Sequence, residues 1–93
     1  MTNANLIGKK IEYSAKFLRK LKKLPFTLQQ LAVEREIIFK SSIFDPRLET
    51  HKLHGKDRDH WAYSINYKYR IKFIFLSDGN VLYLDVGTHD EVY

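Results

Sequence analysis

Hydrophobic and polar residues alternate with a period of two through much of the second half of the chain. Aromatic or β-branched residues occupy every second position of the segments 61–66 and 69–76. This alternation is typical of half-buried strands, which present one face to a core and the other to solvent. Because only a few residues around 66–68 separate the two segments, the pattern predicts a β-hairpin.

Shorter segments predict the remaining strands. Residues 10–13 (KIEY) are typical of an edge strand, and residues 51–54 of a short strand. The run 81–86 is almost continuously apolar, which favours a strand buried on both faces. Between this run and the hairpin, Ser-Asp-Gly-Asn at 77–80 indicates a tight turn. We expect the chain to leave the sheet at Gly87-Thr88-His89.

Two helices are predicted between the first strand and the hairpin. Ser14 is a plausible N-cap for the first helix, and Pro25 ends it. Its apolar residues recur with helical spacing at Phe17, Leu18, Leu21 and Leu24. Thr27 is the expected cap of the second helix, which Asp45-Pro46 ends near Phe44. Its apolar stripe consists of Leu28, Leu31, Ala32, Ile38 and Phe39, interrupted by Arg35. The short connection favours an antiparallel helical hairpin packed on the sheet.

The order of elements predicts an α+β fold: a strand, two helices packed on one side, and then antiparallel strands forming a small sheet. The length of 93 residues suits one domain spanning 1–93. A hydrophobic fraction of 44% excludes a disordered protein. No apolar run approaches the length of a transmembrane helix, and the first ten residues lack the apolar core of a secretory signal. The chain has no cysteine, so we expect a cytoplasmic protein without disulfides.

Charge is distributed unevenly along the chain, whose net charge is +5. Basic residues outnumber acidic ones by seven to one within 1–23, whereas no lysine or arginine follows Lys72. A basic flank favours nucleic acid or an acidic protein as a partner, although a solvated helix face would look the same. The candidate nucleic-acid-binding residues are Lys16, Arg19, Lys20, Lys23, Lys52, His54 and Lys56.

The histidines and one arginine are the candidates for chemistry. The histidines are His51, His54, His60 and His89. No carboxylate is spaced to complete a metal site with the first two, so we expect no metal and no cofactor. If Leu53 faces the core, alternation places His51 on the same face and His54 on the other. His89 follows a strand near Tyr93, where its side chain can project over the sheet.

Arg70 lies one residue inside a predicted strand, on the face opposite Ile71. It is either a solvated edge charge or a guanidinium held rigidly for a phosphate. Together with His89 and Tyr93 on a basic protein, it would suit cleavage of RNA. An imidazole can take a proton from a 2′-hydroxyl or return one to the leaving 5′-oxygen, while an arginine neutralises the phosphate. RNA carries its own nucleophile, so no metal is needed.

Four motifs resemble a known family. They are H-K-L-H-G at 51–55, W-A-Y-S-I at 61–65, Y-R-I-K-F at 69–73 and G-T-H-D-E-V-Y at 87–93. With the order of elements, they resemble the RelE/ParE superfamily of toxins from toxin–antitoxin systems, over essentially the whole chain. The resemblance therefore implies a RelE-like toxin domain.

The resemblance also implies roles for individual residues. The strand start at 69–71 is similar to the RelE and YoeB strand that carries a catalytic arginine. The chain ending is similar to that of YafQ, whose histidine is catalytic and whose last aromatic residue lies by the active site. His51 falls where YafQ has another active-site histidine. The implied catalytic residues are Arg70, His89, His51 and Tyr93. Ala62 and Ser64 take the places of two strand lysines that act on the RNA in RelE.

By resemblance, the protein would be an endoribonuclease that cleaves mRNA on the ribosome and thereby inhibits translation. Its partners would be a cognate antitoxin, mRNA and the ribosome, and the toxin–antitoxin complex would bind operator DNA through the antitoxin. Two alternatives stay open because the same fold serves other activities. One is a ParE-type toxin that poisons DNA gyrase without being a nuclease. The other is a non-toxic relative that acts only with its antitoxin.

Overall fold

The computed structural model describes residues 9–55 and 59–93, which form an α+β fold as predicted. Its α-helices and strands, in chain order, are β1 (Ile11–Tyr13), α1 (Ala15–Lys22), α2 (Phe26–Ser41), β2 (His51–Lys52), β3 (Trp61–Ser64), β4 (Tyr69–Phe75), β5 (Val81–Thr88) and α3 (His89–Val92). A short 3-10 helix, Pro46–Leu48, lies between α2 and β2. Every helix in these ranges is too short or too polar to cross a membrane.

The sheet is mixed, in the order β1-β5-β4-β3-β2. β1 is an edge strand, as predicted, but it runs parallel to β5, while the other neighbouring strands are antiparallel. The predicted hairpin of β3 and β4 is confirmed. The Ser77–Asn80 turn is confirmed as well: Gly79 has a φ of +88°, a conformation that favours glycine, and its N–H donates to the Leu76 carbonyl.

The helices begin and end close to the predicted positions, with one correction. The Ser14 side chain caps α1 by accepting a hydrogen bond from the Phe17 N–H at 3.0 Å. The second helix is not capped by Thr27, which lies inside α2. Pro25 is the N-cap residue, and its carbonyl accepts from the N–H groups of Leu28 and Gln29. A proline suits a helix start because it has no N–H to satisfy.

The last strand extends further than the sequence pattern predicts. Gly87 and Thr88 do not leave the sheet: they pair with Arg70 and Tyr69 of β4. The chain turns instead at His89, into α3. The Thr88 N–H donates to the Glu91 carboxylate at 2.7 Å, which is one half of a capping box and explains why a helix begins here.

A bulge in β5 controls which of its side chains face the core. Phe73 pairs with Tyr83 and Lys72 pairs with Asp85, so Leu84 is an extra residue opposite β4. Tyr83 and Val86 therefore both join the core although three positions separate them. None of the residues 81–86 is exposed, in line with the predicted burial of this strand, and Asp85 is buried on the side that faces away from the core.

The core is aromatic and lies between the helices and one face of the sheet. Phe39 of α2 stacks on Tyr63 with ring centroids 4.7 Å apart and meets Phe73 edge-on at 5.0 Å. The hydroxyl groups of Tyr63 and Tyr83 are 2.9 Å apart, so one of them donates a hydrogen bond to the other. Burial raises the pKa of both phenols, so they stay neutral.

Replacing Phe39 with alanine is expected to destabilise the protein by about 3–5 kcal/mol, because a fully buried ring leaves a cavity among three other rings. Urea denaturation would measure the change. Ile37→Ala is the matched control, since Ile37 lies on the same helix and is 61% exposed. If both variants lose the same free energy of unfolding, packing of the Phe39 ring does not stabilise the core.

Candidate active site

A hollow of about 310 Å³ opens on the sheet face opposite the core. It is lined by Glu49, His51, Ser64, Arg70, His89 and Tyr93. All four predicted catalytic residues are therefore brought together, from three distant parts of the chain.

Neighbouring strands place these side chains on one face. Ser64 is the register partner of Arg70, and Arg70 is the register partner of Gly87. His51 pairs with Ala62, so it lies on the same side. The predicted link between His51 and Leu53 is wrong: Leu53 is buried while His51 is exposed, because β2 ends at Lys52 and the alternation does not continue.

His51 uses both of its ring nitrogens within the protein. Its Nδ1 lies 2.9 Å from the Glu49 carbonyl oxygen, which can only accept a hydrogen bond. Nδ1 therefore carries the proton, and Nε2 accepts from the hydroxyl group of Tyr93. Burial raises the pKa of Tyr93 above 10.0, and the neighbouring Arg70 opposes that rise. The phenol therefore keeps its proton at neutral pH and can donate to His51.

His89 is the second histidine that contacts Tyr93. The two rings pack with centroids 4.0 Å apart. The His89 side chain is 56% exposed, and its Nδ1 lies 3.5 Å from a carboxylate oxygen of Asp90. This leaves Nε2 as the ring nitrogen available to a bound molecule.

Arg70 is held by two backbone carbonyls at the hairpin turn. Its Nη1 donates to the carbonyl of Asn66 at 2.6 Å and to that of Tyr69 at 3.1 Å. Two fixed hydrogen bonds orient the guanidinium plane and leave other N–H groups for a ligand. This is the geometry that favours binding of a phosphate or carboxylate.

Glu49 is a site residue that the sequence analysis missed. Its backbone is left-handed, with φ at 51°, which is uncommon for a residue other than glycine. Such conformations cluster at functional sites. Its carboxylate lines the hollow and accepts a hydrogen bond from the Ser64 hydroxyl at 3.2 Å. No local signal marks this residue, because its position depends on the turn before β2.

A cluster of charges joins α1 to β5 close to the start of α3. Asp85 is buried and lies 2.7 Å from the Nζ of Lys20 and 3.4 Å from that of Lys16. The charge of Lys20 also acts on Glu91, whose pKa is lowered chiefly by its hydrogen bonds to Thr88. The ammonium group of Lys20 on α1 thus interacts with carboxylates of both β5 and α3. Its positive charge is therefore paired inside the protein and is less available to an external ligand.

The other predicted nucleic-acid-binding residues lie away from the hollow. Arg19 and Lys23 are exposed on or just after α1. Lys52 lines a separate depression with Trp61 and Phe75. His54 is exposed beyond β2, and Lys56 lies outside the described residues. Nowhere in 9–55 and 59–93 do three His, Cys, Asp or Glu side chains meet in an arrangement that could hold a metal.

Replacing Lys20 with methionine is expected to destabilise the protein by about 1–3 kcal/mol, because it removes the nearer partner of a buried carboxylate. Chemical denaturation would measure the loss. Arg19→Met, on the exposed side of the same helix, should change stability by less than about 0.5 kcal/mol. If Lys20→Met is as stable as Arg19→Met, the ion pair with Asp85 does not fix α1.

No protein-family model and no curated protein matches the sequence. Solved structures do match. The YoeB/ParE toxin from Agrobacterium tumefaciens aligns with a TM-score of 0.72 at 12% identity over 86% of this chain and 98% of that one. The toxin–antitoxin complex RelBE2 from Mycobacterium tuberculosis gives 0.72 at 17% identity, over 87% and 91%. YafQ from E. coli gives 0.65 at 14% identity, over 91% and 98%. The chain therefore has the fold of the RelE/ParE superfamily toxins.

Proposed function

We propose that this protein is the toxin of a toxin–antitoxin pair and that it cleaves mRNA by acid–base catalysis without a metal. The fold is that of toxins named RelE, YoeB and YafQ. The observation that carries the nuclease proposal is the hollow itself. It combines a carboxylate, a fixed guanidinium and an accessible imidazole within one small volume.

The proposed reaction is attack of the ribose 2′-oxygen on the adjacent phosphorus. Glu49 takes the proton of the 2′-hydroxyl as the new O–P bond forms. The bond between phosphorus and the 5′-oxygen then breaks, and protonated His89 gives its Nε2 proton to the departing oxygen. The products are a 2′,3′-cyclic phosphate and a free 5′-hydroxyl. Proton exchange with water restores both side chains.

Arg70 would stabilise the charge that develops on the phosphate during this step. Its orientation is set beforehand by two carbonyls, so little reorganisation is needed in the transition state. Tyr93 packs against His89 and holds it over the hollow, while His51 holds Tyr93. His51 is therefore proposed as a positioning residue, because neither ring nitrogen is open to substrate.

An antitoxin partner is proposed on two grounds. The RelBE2 structure and a RelE–RelB structure from Pyrococcus horikoshii are toxin–antitoxin complexes with this fold. The exposed Arg19 and Lys23 and the net charge of +5 would favour an acidic polypeptide or RNA. We further propose that the substrate is mRNA bound to the ribosome. The toxin–antitoxin complex would in addition bind operator DNA through the antitoxin.

His89→Ala is expected to lower the rate of RNA cleavage by about 10²-fold or more, because it removes the general acid. Its free energy of unfolding should change by less than about 0.5 kcal/mol, since the side chain is largely exposed. Arg70→Ala should lose activity and also bind substrate more weakly. Melting temperature and cleavage of mRNA on programmed ribosomes would be measured side by side.

His54→Ala is the matched control for this experiment, because His54 is an exposed histidine outside the hollow. Because His54 is itself a candidate for binding RNA, the rate is compared at saturating protein, where this variant should cleave at close to the parent rate. If His89→Ala melts well below the parent and keeps its specific activity, the catalytic assignment fails.

Expression of the protein alone is expected to stop translation and to create new 5′ ends within coding sequences, which primer extension would map. Co-expression of an acidic protein encoded by a neighbouring gene should restore growth. DNA breaks with intact mRNA would instead indicate a gyrase poison. Unimpaired growth would indicate a non-toxic relative.

A further inference from the structure

The ring of Tyr67 is the most exposed of the large hydrophobic side chains in the described chain, at 89%. It lies at the tip of the turn between β3 and β4. A second hollow, of about 360 Å³, is lined by Tyr67, Lys68, Thr88, His89 and Asp90. His89 lines both this hollow and the candidate active site, so the two adjoin.

The turn that carries Tyr67 is held firmly by hydrogen bonds. The Asn66 side chain accepts from the N–H groups of Lys68 and Tyr69 at 2.9 and 2.8 Å. Such a side-chain bond fixes a turn conformation. An exposed tyrosine on this turn adds little to the core, because its ring is left in solvent.

The same turn is hydrogen-bonded to two residues of the candidate active site. The Asn66 carbonyl accepts from the Arg70 guanidinium at 2.6 Å, and the Lys68 carbonyl accepts from the backbone N–H of His89 at 3.1 Å. The residues on either side of Tyr67 are therefore tied to Arg70 and His89. The backbone at Tyr67 is thus held at a fixed position relative to the candidate active site.

We propose that Tyr67 and Lys68 form a binding subsite for an unpaired nucleotide next to the cleaved phosphate. This inference rests on the proposed function. The base would stack on the Tyr67 ring, and the Lys68 ammonium would attract the phosphate. Aromatic stacking with a nearby cation is the usual way in which proteins hold single-stranded nucleic acid. Asp90 also lines this hollow, and its fully exposed carboxylate would repel a phosphate, which leaves Lys68 as the favoured position for one.

The test uses ribosomes programmed with an mRNA that carries 2-aminopurine beside the cleavage position. A 2′-O-methyl group at that position prevents cleavage. Binding of the parent protein should quench the 2-aminopurine fluorescence by stacking. Tyr67→Ala should remove most of the quenching and weaken RNA binding by about fivefold or more. Tyr67→Phe should retain both effects, because it keeps the ring.

Kinetics separate this role from catalysis. With cleavable mRNA, Tyr67→Ala should raise the half-saturating protein concentration while the single-turnover rate at saturation stays near that of the parent. Phe26→Ala is the matched control, since Phe26 is an aromatic residue that is 70% exposed on α2, away from both hollows. It should behave like the parent.

The outcomes distinguish the subsite from the proposed function. If Tyr67→Ala binds and quenches like the parent while His89→Ala cannot cleave, the subsite is wrong and the nuclease proposal stands. The same holds if Tyr67→Ala impairs only binding of an antitoxin, because Tyr67 would then be a protein contact. If the parent neither binds nor cleaves RNA, both proposals fail.

Discussion

The close approach of α3 to β5 at Gly87 is the constraint on which the candidate site depends. A Cβ atom at this position would lie 2.9 Å from a carboxylate oxygen of Glu91 and 3.2 Å from the Glu91 Cβ. That oxygen accepts the hydrogen bond that begins α3, so moving it aside would undo the capping of the helix. The missing side chain thus lets α3 fold back over the sheet, which places His89 and Tyr93 above Arg70.

Two buried arrangements hold the layers around this contact. On one face, stacked and edge-on rings around Phe39 join α2 to the strands. On the other, Asp85 is buried against lysines of α1, so the helix is tied to the strand from which α3 continues. The bulge in β5 separates these two roles, because it directs Tyr83 inward and Asp85 outward on the same strand.

The candidate site contains two kinds of residue: some have side chains fixed by hydrogen bonds within the protein, and others have side chains accessible from solvent. Backbone carbonyls fix Arg70 and determine the tautomer of His51, and His51 in turn fixes Tyr93. Under the proposed function, the exposed imidazole of His89 and the carboxylate of Glu49 would meet the substrate. Acid–base cleavage of RNA requires one group that accepts a proton and one that donates a proton, together with a charged group held in place to stabilise the phosphate.

The sequence by itself determined most elements of this fold. Period-two alternation located β3 and β4, helical spacing after Ser14 located α1, and Ser-Asp-Gly-Asn located a turn. These signals are local, because strand and helix periodicity and turn conformation depend on residues within a few positions of one another. Alternation also assigned Arg70 to the face away from the core. The helix α3 was not predicted, although Thr88 and Glu91 have the spacing of a capping box, because the chain was expected only to leave the sheet at Gly87-Thr88-His89.

The tertiary structure alone decided which of these residues meet. No local pattern predicts the left-handed turn at Glu49, the hydrogen bond from Tyr93 to His51 or the burial of Asp85 against Lys20. Each joins residues from different elements or depends on the path between elements. The basic face of α1 illustrates the reason. The sequence shows only that Arg19 and Lys20 are both charged, whereas in the fold Lys20 forms an ion pair with the buried carboxylate of Asp85 and Arg19 remains exposed.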